Sequence, residues 1–213
     1  MRPEPARARF AAQSGFGPEA VDDIAHWGER LREWNGRINL VAASTLDSFW
    51  ERHALDSAQL VPHLGTAARV VDFGSGGGFP ALALAIHAKH AGLARDVHMI
   101  ESVGKKASFL KTIVRELRLP ATVHAARIEA VPSLQADVVT ARAFAPLPRL
   151  LPLATRHLCP EGRLVLLKGE RVQSEVESAE RGWSFDVHSH PSITDETGRI
   201  VVISGLKRRE CFT

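Results

Sequence analysis

One stretch constrains the fold of this chain more than any other: an apolar run, an acid, a cluster of glycines and a proline, at residues 70–80. The apolar run predicts a buried strand over 70–73, and Pro80 opens an alanine- and leucine-rich segment that predicts a helix over 79–87. A turn this tight needs a positive φ, and a backbone without Cβ lets a ligand approach closely. Strand, glycine turn and helix form the nucleotide-binding half of a doubly wound α/β sheet.

The spacing of the glycines narrows the choice of ligand. The dinucleotide fingerprint fails when counted from Gly74, because its third small position is Phe79, and the Gly-Lys-Ser/Thr of a P-loop is absent. The pattern Asp-x-Gly-x-Gly-x-Gly after a strand resembles motif I of the S-adenosylmethionine (SAM) methyltransferases. A second acid should then accept hydrogen bonds from ribose hydroxyls, and Glu101 ends the next apolar run. The alternative interpretation is a glycine-rich turn that binds no ligand.

From residue 69 onward the pattern alternates strands and helices. Strands are predicted over 70–73, 96–100, 121–125, 136–141, 163–168, 183–190 and 199–206, and helices over 79–87, 105–118, 147–157 and 172–181. Ser102 is the expected cap of the second of these helices. The loop between the last two strands has no helical pattern, which predicts a hairpin. The fold class is therefore α/β, a Rossmann-like seven-stranded sheet, parallel except for an antiparallel C-terminal hairpin.

Two helices are predicted ahead of the sheet. The first begins at Pro18 and ends at the Asn35-Gly36 pair, and the second spans roughly 44–61. The first dozen residues are rich in arginine and proline and are expected to fray. We therefore expect an N-terminal helical cap over 1–65, packed on a SAM-dependent methyltransferase domain over 66–213, as one structural unit.

Composition bounds the class of protein. The 213 residues hold 45% hydrophobic and 24% charged side chains, which suits one α/β domain with an extension. No stretch approaches the ~18 apolar residues that span a bilayer, and no apolar segment of a signal peptide follows the first arginines. Cys159 and Cys211 are isolated, which favours a reducing cytoplasm and no structural zinc. A net charge of +3 permits a nucleic-acid partner without requiring one.

Ligands of such a sheet bind at the carboxyl ends of its strands, so the residues there are the candidates for chemistry. They are Asp72, Gly74, Gly76, Gly78, Phe79, Glu101, Ile128, Glu129, Arg142 and Lys168. Ile128 would stack on an adenine and Glu129 would read its edge; the alternative is an exposed acid. For Arg142 and Lys168 the alternatives are a surface salt bridge and a solvated strand end. On spacing alone, His53 suits a core position as well as a functional one.

The residues that are missing exclude two kinds of methyl transfer. Methylation of an exocyclic amine commonly uses Asn/Asp-Pro-Pro-Tyr/Phe after the fourth strand, where this chain has Ala-Arg-Ala-Phe at 141–144. Methylation of pyrimidine C5 needs a cysteine nucleophile, and neither cysteine is expected at the rim. Guanine N7 has a free lone pair and needs mainly proximity and orientation, and a nearby arginine or lysine could hold its O6 or a phosphate.

Six segments together resemble the bacterial 16S rRNA guanine-N7 methyltransferases, the family formerly called glucose-inhibited division protein B. They are, in family order, 34–40, 52–57, 72–80, 101–106, 141–144 and 167–169. The resemblance implies a cytoplasmic, monomeric enzyme, not bound to a membrane, that methylates N7 of one guanine in the decoding-region loop of small-subunit rRNA. The implied cofactor is S-adenosyl-L-methionine, with S-adenosyl-L-homocysteine as product, and the implied partner is 16S rRNA or the small ribosomal subunit.

The same resemblance implies roles for individual positions. SAM contacts are implied at Gly74, Phe79, Glu101, Ile128, Glu129 and Arg142. The positions implied to face the cleft or the RNA, and to position the substrate without a general base, are Asn39, His53, Arg142 and Lys168. Phosphate contacts are expected from Arg2, Arg7, Arg9, Lys105, Lys106, Lys207, Arg208 and Arg209. No metal is implied.

Two alternatives stay open at this point. One is a SAM methyltransferase that acts on a small molecule or a protein, and the other is a catalytically silent SAM-binding factor in ribosome assembly. Substituting Arg142 or Lys168 separates them, because an enzyme loses turnover whereas a binding factor loses only association. A steep fall of affinity with salt favours an RNA partner.

Overall fold

The computed structural model describes residues 3–209, so Arg2 and Cys211 lie outside it. The strands are β1 (Arg69–Phe73), β2 (Asp96–Ile100), β3 (Ala121–His124), β4 (Ala136–Arg142), β5 (Leu158–Lys168), β6 (Trp183–Pro191) and β7 (Arg199–Arg208). The α-helices are α1 (Pro3–Ser14), α2 (Pro18–Ile38), α3 (Asp56–Ala58), α4 (Ala81–His90), α5 (Gly104–Glu116), α6 (Leu147–His157) and α7 (Val172–Ala179). None of the described helices is both long and apolar enough to cross a membrane.

The seven strands form one sheet in the order β3-β2-β1-β4-β5-β7-β6. Strands β1 to β5 pair in parallel, and β7 runs antiparallel between β5 and β6. Val71 of β1 pairs with His98 on one side and with Val139 on the other. The strand order therefore reverses beside β1, which opens a crevice at its carboxyl end. The predicted fold class is confirmed, including the C-terminal hairpin.

Two hydrophobic clusters cover the two faces of the sheet. Val70 belongs to the cluster that includes α2, α4 and α5, whereas Val71 belongs to the cluster that includes α6 and α7. Successive residues of a strand point to opposite faces, which explains this division. Trp27 and Leu31 of α2 are fully buried in the first cluster. The N-terminal helices and the sheet thus share one core.

The N-terminus differs from the expectation of fraying. Residues Pro3–Ser14 form α1, and Phe10 is only 1% exposed. Its ring lies 5.4 Å from the rings of both Phe16 and Trp50. The prediction of fraying was wrong because tertiary burial of an aromatic side chain outweighs the weak local preference of this arginine-rich stretch.

The second predicted helix is not a regular α-helix. Residues Ala43–Ser48 form a 3-10 helix, Phe49–Leu55 form a π-helix, and only the three residues of α3 are α-helical. The wider π turn directs five of its seven side chains inward, His53 among them. This segment therefore places a polar side chain on the buried side.

Helix boundaries also differ from the predictions. Helix α2 continues to Ile38, past the predicted stop at Asn35-Gly36. Helix α4 begins at Ala81, so Pro80 precedes it instead of opening it, and it extends to His90. Helix α5 begins at Gly104 and has no side-chain cap, so the cap predicted at Ser102 was wrong.

Candidate active site

A glycine loop follows β1 and forms one wall of the candidate site. Gly74, Gly76 and Gly78 have positive φ angles of 69°, 53° and 98°, which L side chains rarely adopt. A Cβ on Gly78 would lie 2.2 Å from Cδ1 of the buried Leu82. Trp27 Nε1 holds the loop from behind through a 3.0 Å hydrogen bond to a loop carbonyl. The backbone of this loop is therefore fixed by its own glycines and by α2.

Glu101 follows β2 and reaches back to the glycine loop. Its Oε2 accepts a 2.9 Å hydrogen bond from Gly76 N, and its Oε1 accepts a 2.7 Å hydrogen bond from Val103 N. The residue is 6% exposed, and each carboxylate oxygen keeps a further lone pair. The structure thus brings together the glycine turn and the second acid that the sequence predicted.

Asp72 lies at the base of the loop and is fully buried. Its Oδ1 accepts a 2.7 Å hydrogen bond from Thr140 Oγ1, whereas its Oδ2 has no hydrogen-bond partner. Burial raises the pKa of this carboxyl group to about 7. A buried acceptor without a donor is costly, so this oxygen is suited to a donor that the chain itself does not supply.

A first cavity of about 280 Å³ opens beside the glycine loop. Gly74, Ile128 and Glu129 line it together, and Phe144 and Pro146 are also part of its lining. Ile128 is 6% exposed, whereas Glu129 is exposed. The cavity therefore combines an apolar surface with a carboxylate at its edge.

A second and larger cleft of about 500 Å³ adjoins the first, and Phe144 lines both. Its charged lining residues are Arg52, Asp56, Arg142, Lys168, Arg171, Glu175, Asp195 and Arg199. Arg52 and Arg171 are exposed, and neither side chain forms an ion pair with another described residue. The cleft therefore presents free guanidinium groups at its mouth, which suits an anionic ligand.

Arg142 lines this cleft, and its guanidinium group contacts three neighbouring side chains. Its Nε lies 3.2 Å from Asp56 Oδ2, and its Nη2 donates a 3.3 Å hydrogen bond to His53 Nδ1. The guanidinium carbon lies 5.3 Å from the centre of the Phe79 ring. Nη1 is buried without a partner among the described residues. Arg142 is therefore oriented by three neighbours and keeps one free donor group.

Lys168 is engaged by the loop that follows β4. Its Nζ donates hydrogen bonds of 2.7 Å to both Ala145 O and Glu175 Oε2. Glu175 Oε2 also accepts a 2.9 Å hydrogen bond from Leu147 N. The ammonium group therefore holds the loop of residues 143–147 in place. The Lys168 side chain also lines the cleft, as expected.

Phe79 and Asn39 lie apart from both cavities. The Phe79 ring stacks on His53 at a centroid distance of 4.5 Å and lies 4.9 Å from Trp27. It is 8% exposed and lines neither cavity. Asn39 ends α2 in a left-handed conformation with φ 48°, and its side chain is exposed and lines neither cavity. The structure does not bring these two predicted residues into contact with either space.

The expected phosphate contacts fall into two groups. Arg7 and Arg9 form ion pairs with Asp22 and Glu51, so their charges are largely neutralised. Five others form no ion pair with a residue of 3–209: Lys105, Lys106, Lys207, Arg208 and Arg209. Arg209 Nε donates to Trp183 O. The two arginines at the cleft mouth were not predicted.

His53 is neutral in the folded protein. Burial, with smaller contributions from the nearby Arg142 and Arg52 charges, lowers its pKa to about 3. Because Nδ1 accepts from Arg142, Nε2 donates its proton to Thr45 Oγ1 at 3.0 Å. The ring is a fixed acceptor and is not a base that titrates near neutral pH.

This depressed pKa predicts a loss of stability in acid. Unfolding restores a pKa near 6.5, so the unfolded chain binds a proton that the folded ring does not. The free energy of unfolding should fall as the pH drops from about 6.5 toward about 3, and by roughly 1–2 kcal/mol from this residue between pH 6.5 and 5. Denaturant titrations of the unsubstituted protein and His53→Asn at both pH values measure it. A pH dependence that is the same in both proteins would contradict the assignment.

Sequence reasoning placed Phe144 at the rim without a role, and it missed Arg52, Asp56, Arg171 and Glu175 as members of the site. Asp56 and Arg142 are 86 positions apart in the chain, and no local pattern indicates their contact. A weak signal did exist, because Arg52, His53 and Asp56 are polar residues within an otherwise apolar segment. Within residues 3–209, no group of three or more His, Cys, Asp or Glu side chains could hold a metal ion.

Solved structures with the same architecture identify the class of fold. A SAM-dependent methyltransferase from Aquifex aeolicus is 16% identical, with a TM-score of 0.55 over 83% of this chain and 97% of that chain. A TehB-like SAM-dependent methyltransferase from Corynebacterium glutamicum is also 16% identical, with a TM-score of 0.54 over 84% and 98% of the two chains. The fold is that of the SAM-dependent methyltransferases.

Sequence relatives identify the family. The family described as rRNA small subunit methyltransferase G matches residues 21–201. The ribosomal RNA small subunit methyltransferase G of Rhodospirillum centenum is 46% identical over 94% of this chain and 91% of its own length. The protein of the same name from Cereibacter sphaeroides is 42% identical over 92% and 95% of the two chains. The chain belongs to the rRNA small subunit methyltransferase G family.

Proposed function

We propose that the protein transfers a methyl group from SAM to N7 of one guanine in the decoding-region loop of 16S rRNA, in the small ribosomal subunit. The observation that carries the proposal is 41–46% identity over 92–94% of the chain to enzymes named ribosomal RNA small subunit methyltransferase G. The choice of N7 rests on the six family-like segments and on the absence of residues for amine or C5 methylation. The substrate class implies a cytoplasmic protein.

The residues of the glycine loop, of the ends of β1 and β2 and of the first cavity together fit SAM. The unpartnered Oδ2 of Asp72 suits a cationic ligand group at the glycine loop, and Glu101 keeps lone pairs for ribose hydroxyls. Ile128 offers an apolar surface for adenine beside Glu129. Bound SAM supplies an electrophilic methyl group on a positively charged sulfur. The glycines keep their wall of the cavity free of side chains.

The second cleft suits a guanine whose N7 lone pair is the nucleophile. No proton has to leave N7, so positioning carries most of the work that the protein contributes. Arg142 lines this cleft and is suited to donate to guanine O6, and His53 and Asp56 orient its guanidinium group. Lys168 fixes the loop after β4, and Asn39 is left as a peripheral RNA contact.

The N-terminal cap supplies part of this substrate cleft. Arg52 and Asp56 of residues 1–65 line this cleft, and His53 contacts Arg142 beneath it, whereas the first cavity is lined by residues of 66–213. We assign the cap the task of completing the RNA side of the site.

A transfer assay tests the proposed function. The purified protein is incubated with labelled SAM and small ribosomal subunits that lack the modification, with large subunits and naked 16S rRNA in parallel. Label should enter small-subunit rRNA, directly or only in the assembled particle. If label enters neither form, while calorimetry still detects SAM binding, a small-molecule or protein methyltransferase or a silent binding factor replaces the proposal.

The exposed Arg52 predicts a specific salt dependence. If its guanidinium group contacts an RNA phosphate, Arg52→Gln should reduce the slope of log affinity against log salt by about 1. Filter binding of the subunit at several salt concentrations measures the slope. Arg30→Gln is a matched control, because Arg30 is already hydrogen-bonded to Glu33 and Glu116. Equal slopes for the Arg52 variant and the unsubstituted protein would remove Arg52 from the interface.

A further inference from the structure

Phe144 is unusual among the hydrophobic side chains of this protein. It is 37% exposed, and in the described part of the chain it is the one aromatic among the large exposed hydrophobic residues. It stands at the junction of the two cavities and lines both. Single exposed hydrophobic residues are common on protein surfaces, so it is the position of Phe144 between the two cavities that points to a ligand.

The ring rests on a position where only glycine leaves room for it. A Cβ added to Gly74 would lie 2.7 Å from Phe144 Cδ2. The ring therefore packs directly on the backbone of the glycine loop, and a second contact joins it edge-on to Phe73 at 6.1 Å. One face of Phe144 is supported in this way, and the other side of the ring is exposed to the cleft.

The backbone around Phe144 is held in place on both sides. Ala143 has a φ of +49°, a conformation that residues with a Cβ rarely adopt. This turn separates the inward Arg142 from the outward Phe144, and strained backbone of this kind persists where the surroundings enforce it. Lys168 Nζ holds Ala145 O, and Glu175 holds Leu147 N. The ring is thus presented on an anchored loop.

A base that undergoes chemistry on an enzyme must leave its stack, and the protein has to replace the stacking that is lost. Unpaired bases of RNA loops commonly stack on aromatic side chains for this reason. We infer that Phe144 is the stacking surface for the target guanine and places its N7 at the opening between the cleft and the cofactor cavity. This inference rests on the proposed function and adds a substrate-positioning residue to it.

Arg142 and Phe144, on either side of Ala143, are placed to contact one base in two different ways. Arg142 and Phe144 both line the cleft, and the buried Nη1 of Arg142 has no hydrogen-bond partner among the described residues. Hydrogen bonding in the plane and stacking on the face together fix the orientation of a purine. Because Phe144 lines the first cavity as well as the cleft, a replacement that keeps an apolar side chain there should weaken use of the RNA substrate far more than SAM binding.

The test compares Phe144→Leu, which keeps an apolar side chain without a π face, with Phe144→Trp, which keeps the face. Stacking on an aromatic residue corresponds to about a 10- to 100-fold effect. Phe144→Leu should lower kcat/KM for the small subunit by this factor, and Phe144→Trp should retain activity within about fivefold. The calorimetric Kd for SAM should change less than about threefold in both. Leu93→Ala, another exposed hydrophobic residue that lines neither cavity, is the control.

Each outcome has a distinct meaning. If Phe144→Leu is as active as the unsubstituted protein, the inference fails and the proposed function stands. If the Kd for SAM rises in step with the loss of activity, the ring belongs to the cofactor site and the inference is overturned. If the unsubstituted protein transfers no methyl group to the subunit, the proposed function fails and the inference with it.

Discussion

Replacing Arg142 with glutamine is expected to lower kcat/KM for the small ribosomal subunit by roughly 10- to 100-fold while SAM binding changes little. An arginine that pairs with a guanine edge contributes about 1–3 kcal/mol to recognition of that base. Glutamine keeps a hydrogen-bond donor but loses the charge and the planar fork that contacts Asp56 and His53. Arg142 lines the second cleft and not the first cavity, which is the one proposed to hold SAM. The calorimetric Kd for SAM should therefore be nearly unchanged.

Arg163→Gln is the matched control for this experiment. Arg163 is also partly buried and also donates to neighbouring groups, the backbone carbonyls of His63 and Leu64. It lies in the middle of β5, where it pairs with Val138 of β4, and it lines neither cavity. Its replacement should lower stability without a specific loss of transfer. If Arg142→Gln transfers methyl groups as fast as Arg163→Gln, the arginine does not position the substrate.

Replacing Gly78 with alanine should be among the most destabilising single changes in the glycine loop. The residue has a φ of +98°, and the new Cβ would lie 2.2 Å from Cδ1 of Leu82, which is fully buried. The left-handed backbone costs about 1–2 kcal/mol, and overpacking of the core costs about 1–3 kcal/mol more. A loss of roughly 2–5 kcal/mol in the free energy of unfolding is therefore expected, measured by chemical denaturation.

Gly92→Ala separates the two causes of that loss. Gly92 also has a positive φ, +62°, but no atom lies within 4 Å of its added Cβ. It should lose only the backbone contribution, about 1–2 kcal/mol. If both variants lose the same stability, the close packing of Gly78 on α4 is not what makes glycine necessary there.

The parts of the site that the sequence predicts are local or follow from sheet topology. Asp72 and the glycines belong to one continuous segment, and Glu101 follows because the next strand of such a fold lies beside the first. Ile128 joins them for the same reason, at the end of β3. Short-range patterns and one topological rule therefore bring these residues to one edge of the sheet, and their contacts with a cofactor stay a prediction.

The lining of the second cleft is harder to predict from the sequence, because it depends on contacts between segments that are far apart in the chain. His53 meets Arg142 across 89 positions of sequence, and it does so through a π-helical turn that no periodic pattern predicts. Phe79 illustrates the converse. Its position directly after the glycines predicts a ligand contact. In the structure, however, Trp27 of α2 and His53 pack against its ring. Only the packing of the N-terminal helices decides which side chains reach the cleft.

The central claim is tested most directly by locating the transferred methyl group. Unmodified small subunits are treated with SAM and the protein, and the rRNA is then cleaved chemically at N7-methylguanine and mapped by primer extension. A single cleavage, at one guanine of the decoding-region loop, is the predicted result, and it should be absent when SAM is omitted. If the rRNA receives a methyl group from SAM but resists this cleavage, the methyl group lies on another atom and the proposed N7 methylation is wrong.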